Sequence, residues 1–337
     1  MDLDIESVPV VIFSDHHRGA RDGADDFLRC ERAYNAALAY YLEQSYRLIA
    51  LGDVEELWEN DPEPVLGAYG ETLELEAAFH REARYERIWG NHDDLWRYPK
   101  QVEKHLHAIF AGSRVREALK LRVSSDGEPL GTLFLVHGHQ GTLESDRTAW
   151  FSRLVVRYIW RPLQRRLDIP STSPARDWEL RQRHEAAMFA WAREQDPGLV
   201  LIAGHTHRPV FWNSAPPPKI PRSPADVERE LDEARRAGSP DRGRLGLLRA
   251  ELEFIEAELR RSQSKAITID PPCYFNTGCC SFGDGDVTGL EIADGEIRLV
   301  RWPDDEGRPM PKVLAKADLR AVLAAVRSPD QPLRAHG

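Results

Sequence analysis

Asp15-His16-His17, Gly52-Asp53, Gly90-Asn91-His92-Asp93, Val136-His137-Gly138 and Gly204-His205-Thr206-His207 are five short segments rich in Asp, Asn and His. Carboxylate and amide oxygens mixed with imidazole nitrogens suit divalent ions such as Mn, Fe or Zn. Asp15 and His17, one residue apart where an apolar run ends, can both face one ion from a loop. Asp53 can bridge two cations with its two oxygens. Asn91 offers a neutral carbonyl oxygen, and His137, His205 and His207 complete a set of seven candidate ligands. Two carboxylates around two divalent cations leave a site formally near +2, which attracts anions and retains Lewis acidity. Two ions about 3.5–4 Å apart can clamp a phosphoryl group while a bridging water is activated as hydroxide. His92, beside a ligand but outside the set, is placed to protonate a leaving oxygen, with Asp93 orienting its imidazole. The bland alternative is that polar strand ends merely tolerate such residues. Five segments in order between residues 15 and 207 argue against it.

The elements that must position these residues follow from the apolar patterning. Val8–Ser14, Arg47–Leu51, Tyr85–Trp89 and Gly198–Ala203 read as buried strands, and each runs directly into one of the segments. Leu119–Val123 and Gly131–Val136 read as two more, the second leading to His137. Phe27–Gln44, Leu66–Arg84 and Pro99–Phe110 read as helices between them. Strands alternating with helices imply an α/β fold with a mainly parallel sheet. Its ligands bind beyond the carboxyl edge of the strands. Cys273–Thr277 reads as a return of the chain to the fold. Val287–Ile292 and Glu296–Trp302 read as a hairpin, and Lys316–Val326 as a helix in an otherwise polar tail.

Composition restricts the partners. The chain has 337 residues, a net charge of −10, 42% hydrophobic and 30% charged residues. That charge argues against general nucleic-acid binding, which rests on neutralising phosphates. No apolar run reaches the length of a spanning helix, and Met1–Ser7 lacks the pattern of a signal peptide. Four cysteines without paired spacing read as buried thiols, and a cytoplasmic location is expected. Charge is uneven, however: between Asp146 and Arg183 there are nine arginines and four carboxylates. Arg153, Arg157, Arg161 and Arg165 fall four apart on one helical face. Three readings stand for this stripe: a solvated face, a phosphate contact, with Arg153 and Arg157 as candidate substrate-binding residues, or a peripheral contact with anionic lipid at the inner membrane surface. His139 is a further candidate for substrate contact. Residues 215–264 read as a helical hairpin with Leu245, Leu248, Leu252, Ile255 and Leu259 on one stripe. The stripe packs on its own domain, acts as a lid, or forms a homodimer contact.

The set D-x-H, GD, GNHD, HG and GHTH, carried by Asp15, His17, Asp53, Asn91, His92, Asp93, His137, His205 and His207, resembles the calcineurin-like metallophosphoesterase superfamily. Asn276-Thr277-Gly278 resembles the strand-end turn that often follows the last histidine block. The resemblance implies a four-layer α/β/β/α sandwich of two mixed sheets. It implies one metal on Asp15, His17, Asp53 and His207 and a second on Asp53, Asn91, His137 and His205, with Mn2+ expected and Fe or Zn as alternatives. The implied activity is hydrolysis of a phosphodiester, phosphomonoester or pyrophosphate. Some proteins of this fold instead serve as non-catalytic scaffolds, but these usually lack several ligands. Trp58 after Gly52-Asp53-x-x-Glu56, and the Arg-rich helical stretch between His137 and His205, resemble the UDP-diacylglucosamine pyrophosphatases, which act on a lipid-linked nucleotide. His92, where those enzymes usually carry Arg, and His139, where they carry Asp, depart from them. The expected organisation is one metallophosphoesterase domain over 1–303, with a helical cap insert at 142–194, the hairpin insertion at 215–264, and a polar C-terminal extension over 304–337.

Overall fold

Along the strand Val10–Phe13 the side chains alternate between two cores: Val10 and Ile12 meet one apolar cluster, Val11 and Phe13 another. That period-2 pattern, buried on both faces, identifies an inner strand of a layered fold. The structure, a computed structural model, describes residues 1–5, 8–22, 25–139, 188, 192, 199–207, 209–211, 227, 229–231, 273–304 and 309–327. The chain divides into two compact units, 1–212 with 271–331 and 213–270 with 332–337. The candidate site lies wholly in the first.

Two mixed sheets build that first unit. Its strands are β1 (Asp2–Asp4), β2 (Val10–Phe13), β3 (Arg47–Leu51), β4 (Tyr85–Ile88), β5 (Val115–Arg116), β6 (Ala118–Ser125), β7 (Glu128–Val136), β8 (Leu199–Ala203), β9 (Pro209–Phe211), β10 (Tyr274–Thr277), β11 (Val287–Ala293), β12 (Glu296–Trp302) and β13 (Lys312–Asp318). One sheet has the order β13-β12-β11-β2-β3-β4-β5 and the other β1-β6-β7-β8-β10-β9. In the first, β2 to β5 run parallel, and β11 to β13 add as an antiparallel meander. In this sheet the expected parallel run is confined to β2–β5, while in the other sheet β7, β8 and β10 also run parallel.

Between the sheets lie Val10, Ile12, Ile49, Leu51, Leu121, Leu133, Leu135, Val200, Ile202 and Leu290. On the outer face of the seven-stranded sheet, α1 (Glu31–Glu43) and α3 (Gly70–Arg81) bury Tyr34, Leu38, Tyr41, Leu73 and Phe79. α2 (Pro62–Ala68) and α4 (Pro99–Leu106) complete that side. On the outer face of the six-stranded sheet, the helical residues Met188 and Ala192 pack with Leu201, Ala203 and Tyr274. Their spacing of four places both on one helix face. The expected α/β/β/α sandwich is thus observed.

Several expectations are corrected. Leu66–Arg84 is not one helix: α2 ends at Ala68 and α3 begins at Gly70, with Tyr69 between them. Of the extension expected over 304–337, the described residues 304 and 309–327 belong to the first unit. β13 pairs with β12, and α5 (Leu319–Arg327) buries Leu319, Val322 and Leu323 against the inter-sheet core. The helix expected from Lys316 starts only at Leu319, where the Asp318 carboxylate accepts from the Ala321 amide at 2.7 Å in the manner of an N-cap. β1 was not expected; it runs parallel to β6, where Asp2 pairs with Arg122. Of the expected inserts, 142–194 lies outside the described residues except for Met188 and Ala192. Of 215–264, Val227 and Leu231, both buried, and the helical residues Arg229 and Glu230 are described. Among the described residues, no helix is long and apolar enough to cross a membrane.

Candidate metal centre

The strand ends turn sharply, and the turning residues are the candidate ligands. Asp15, His17, Asp53, His205 and His207 all have left-handed backbones, with φ of 54°, 50°, 51°, 68° and 56°. For residues carrying a Cβ this conformation costs about 1–2 kcal/mol each. Strain of this kind gathers where geometry matters more than local stability. The glycines of the same segments make the close approach feasible. A Cβ on Gly52 would lie 2.6 Å from His137 Nδ1, one on Gly90 2.6 Å from the Asp53 amide nitrogen, and one on Gly204 2.5 Å from an Asp15 oxygen. Each glycine thus leaves room for a ligand residue of another loop.

Backbone bonds lace the loops together. Asp15 N donates to Gly52 O at 3.1 Å, His17 N to Asp53 O at 3.0 Å and Gly204 N to His137 O at 2.9 Å. The His205 amide donates to both Asp15 oxygens, at 3.1 and 3.0 Å. Asn276, at the end of β10, donates to Gly204 O at 2.6 Å and Thr206 Oγ1 at 3.3 Å, and accepts from Gly278 N at 3.0 Å. The Asn276-Thr277-Gly278 turn thereby holds the last histidine segment.

Six of the seven candidate ligands converge as two groups. Asp15, His17 and His207 present donor atoms within 4.8 Å of one another, as do Asp53, His137 and His205. In the first group the Nε2 atoms of His17 and His207 are 3.0 Å apart, and His207 Nε2 is 3.4 Å from Asp15 Oδ1. In the second, His137 Nε2 is 2.9 Å from Asp53 Oδ2. Asp53 Oδ2 is also 3.8 Å from His17 Nε2, so this carboxylate stands between the groups. Asn91 lies on the turn whose His92 amide donates to Asp53 Oδ1 at 2.8 Å. Its Oδ1 is buried with no hydrogen-bond partner.

This set fits divalent cations. His137 gives its Nδ1 proton to Leu51 O at 2.9 Å, which turns Nε2 inward as a lone-pair donor. His17 directs Nδ1 to Glu56 Oε2 at 3.0 Å, with the same consequence. A carboxylate or carbonyl behind a ligating histidine is the usual second layer of a metal site. Electrostatics agree. Burial works against a charged His17, but the Glu56 hydrogen bond and the Asp53 and Asp15 carboxylates outweigh it and push its pKa up to about 9. For His137, burial is likewise overcome by Asp53 and Asp15, and the pKa rises to about 10. Burial favours the neutral form of Asp53, yet His137 holds it well below the ordinary carboxylate range. A field that draws protons onto imidazoles this strongly also draws cations, which would displace those protons.

His92 sits beside the first group, its ring 4.6 Å from His17 and stacked at 3.9 Å on the exposed indole of Trp58. Its carboxylate partner is Glu56, not Asp93. Glu56 Oε2 lies 2.7 Å from His92 Nδ1, and against the effect of burial the two histidines bring Glu56 down to about 2. Asp93 turns inward, accepting from Gly90 N at 2.6 Å, Val54 N at 3.0 Å and Asp53 N at 3.3 Å. The expectation that it orients His92 is corrected: it joins the GD and GNHD loops. His139 is buried, its ring 5.0 Å from Trp89 and 5.5 Å from His137. Arg153 and Arg157 lie outside the described residues. Glu56 was named in the sequence only beside Trp58. Its signal was an acidic residue three positions after Asp53, within the same segment.

The family model described as calcineurin-like phosphoesterase matches residues 8–209, more than half of the chain. No curated protein matches. Solved structures with similarity include a dimetal phosphatase from Danio rerio, at 10% identity and TM-score 0.38, covering 92% of this chain and 100% of that one. A predicted phosphoesterase from Streptococcus pneumoniae shows 12% identity and TM-score 0.31, with 91% and 97% covered. Vacuolar Protein Sorting 29 from Cryptosporidium parvum shows 12% and 0.34, with 92% and 98% covered. With the five segments spanned by the match and their donor atoms gathered at the strand ends, the chain belongs to the calcineurin-like phosphoesterase family.

Proposed function

We propose that this protein is a two-metal phosphoesterase that hydrolyses a phosphodiester, phosphomonoester or pyrophosphate. The observation that carries the reading is the convergence of two donor groups about Asp53, with His92 and its Glu56 partner at their edge. Asp15, His17, Asp53 and His207 would hold one cation, and Asp53, Asn91, His137 and His205 the other. Mn2+ is the expected ion, and the same donors accept Fe or Zn. When bound, two such ions supply Lewis acidity toward phosphoryl oxygens and lower the pKa of water.

The chain's own residues do the rest. Glu56 Oε2 stands 2.7 Å from His92 Nδ1, so that Nε2 is the ring nitrogen left for the leaving oxygen. Trp58 covers one face of the His92 ring and restricts its rotation. The buried Asp53 and Asp15 set the negative field that retains the cations. A scaffold without catalysis would have no use for an oriented free histidine beside a full donor set.

The test is hydrolysis by the Mn2+-loaded protein of two diesters, bis-p-nitrophenyl phosphate and an alkyl diester with a poor leaving group. General acid catalysis contributes about 10²–10⁴-fold. His92→Ala should therefore cost at least about 10²-fold on the alkyl diester and far less on the nitrophenyl one. Equal losses on both would remove the acid role. No hydrolysis by the loaded wild type of either diester, of p-nitrophenyl phosphate or of a pyrophosphate diester would overturn the reading.

A further inference from the structure

Five charged side chains lie buried behind the metal centre, and none of them enters the chemistry above. Glu76, Arg18, Glu55, Arg87 and Asp93 are each at most 3% exposed. They alternate in sign and connect in order. Arg18 meets Glu76 through both Nη atoms, one of them at 3.3 Å. Arg18 Nη1 is 4.0 Å from Glu55 Oε1. Glu55 Oε2 pairs with Arg87 and accepts from Trp96 Nε1 at 2.8 Å. Arg87 Nη2 is 3.5 Å from Asp93 Oδ2. Tyr34 and Tyr85 hydroxyls donate to Glu76, at 3.1 and 3.4 Å.

Such an array is a poor device for stability. Buried ion pairs lose about as much in desolvation as they gain in attraction, and apolar replacements of similar volume are often neutral or better. Arg18 Nε, Arg87 Nε and Nη1 and Glu55 Oε1 lack a hydrogen-bond partner, which adds cost. Its placement suggests another use. Arg18 follows the ligand His17, Glu55 is two residues after Asp53, and Arg87 and Asp93 flank Asn91. Arg18 N donates to Val54 O at 3.0 Å and Glu56 N to Arg18 O at 2.9 Å, so the loops carrying His17 and Asp53 move as one. Glu76 alone comes from a helix, on the buried face of α3 among Thr72, Leu73, Ala77 and Phe79.

We infer that this alternating chain preorganises the loops of Asp15, His17, Asp53 and Asn91 for cations, with Glu76 as the positioning residue that anchors it to α3. The inference deepens the proposed function and rests on it. It is tested by titrating Mn2+ into the metal-stripped full chain by calorimetry, alongside thermal melts of the metal-free forms. Glu76→Gln keeps an acceptor for the two tyrosines but leaves Arg18 without its counter-charge. Arg18→Met combined with Glu76→Gln removes the pair altogether. Changes behind metal ligands commonly weaken affinity about 10–100-fold. Both variants should lose at least about tenfold in Mn2+ affinity, with the double variant melting within a few degrees of the wild type. A folded double variant that binds Mn2+ as the wild type does would overturn the inference. So would failure of both variants to fold, since the charges would then serve folding itself. A wild type that binds no Mn2+ would instead refute the metal centre, a separate outcome.

Discussion

The two sheets supply the site from supports of different chemistry. The seven-stranded sheet contributes Asp15, His17, Asp53 and Asn91 from loops tied to a buried chain of full charges. The six-stranded sheet contributes His137, His205 and His207, and the bonds that hold their loops run mostly to neutral groups, Asn276 to Gly204 and Thr206, Ser14 to Thr277 at 2.6 Å and His137 to Leu51, beside the His205 amide on the Asp15 carboxylate. Neutral hydrogen bonds are short-ranged and each contributes about 1 kcal/mol net. Charges in a low-dielectric interior act over longer distances, and leaving one unpaired is costly. Damage on the charged side should therefore spread across several loops, whereas damage on the neutral side should stay local.

Glycine substitutions challenge that contrast most severely. A Cβ on Gly90 would press on the Asp53 amide nitrogen, a backbone atom at the junction held by Asp93. Gly90→Ala should cost about 3 kcal/mol or more, at the top of the overpacking range, and abolish tight Mn2+ binding. On the other sheet, a Cβ on Gly204 would meet side-chain atoms of Ser14 and Asp15 rather than a backbone atom. Gly204→Ala should cost about 1–2 kcal/mol and weaken Mn2+ by about tenfold, within the range for supporting residues. Denaturant melts and calorimetry on both variants measure the difference. Equal damage would dissolve the distinction between the halves.

Asn276→Ala should disturb metal binding least. It removes the amide that bridges Gly204 and Thr206 and takes away the acceptor of the Gly278 amide. About 1–3 kcal/mol of stability should be lost, with less than tenfold loss in Mn2+ affinity. A larger affinity loss than in the double variant of Arg18 and Glu76 would show that the neutral side governs preorganisation.

The candidate ligand set was legible in the sequence because each segment directly follows an apolar run. A strand that ends in Gly-Asp or Gly-His announces both the turn and its occupant. The left-handed backbones at Asp15, His17 and Asp53 could not be read, since Asp and His carry no such requirement in themselves. Asp93 misleads by adjacency: beside His92 in sequence, it is swung inward by the turn that bonds it to the Gly90 amide. The buried charges left faint traces. Glu76 interrupts the apolar stripe of α3, and Arg87 sits inside the strand Tyr85–Ile88. Each reads alone as a surface charge, because its partner comes from a different loop and only packing brings them together. β13 was hidden for a similar reason. Lys312–Asp318 is an edge strand, exposed along most of its length, and only its pairing with β12 distinguishes it from a helix start.

The central claim is that distant loops grip two cations that share Asp53. Its most direct test is the Mn2+ stoichiometry of the metal-stripped chain, measured for the wild type and for Asp53→Asn. Two ions per wild-type chain, falling to one or none in the variant, is the result expected of a shared carboxylate. A wild type that takes up no ion, or an Asp53→Asn chain that still binds two with undiminished affinity, would contradict it.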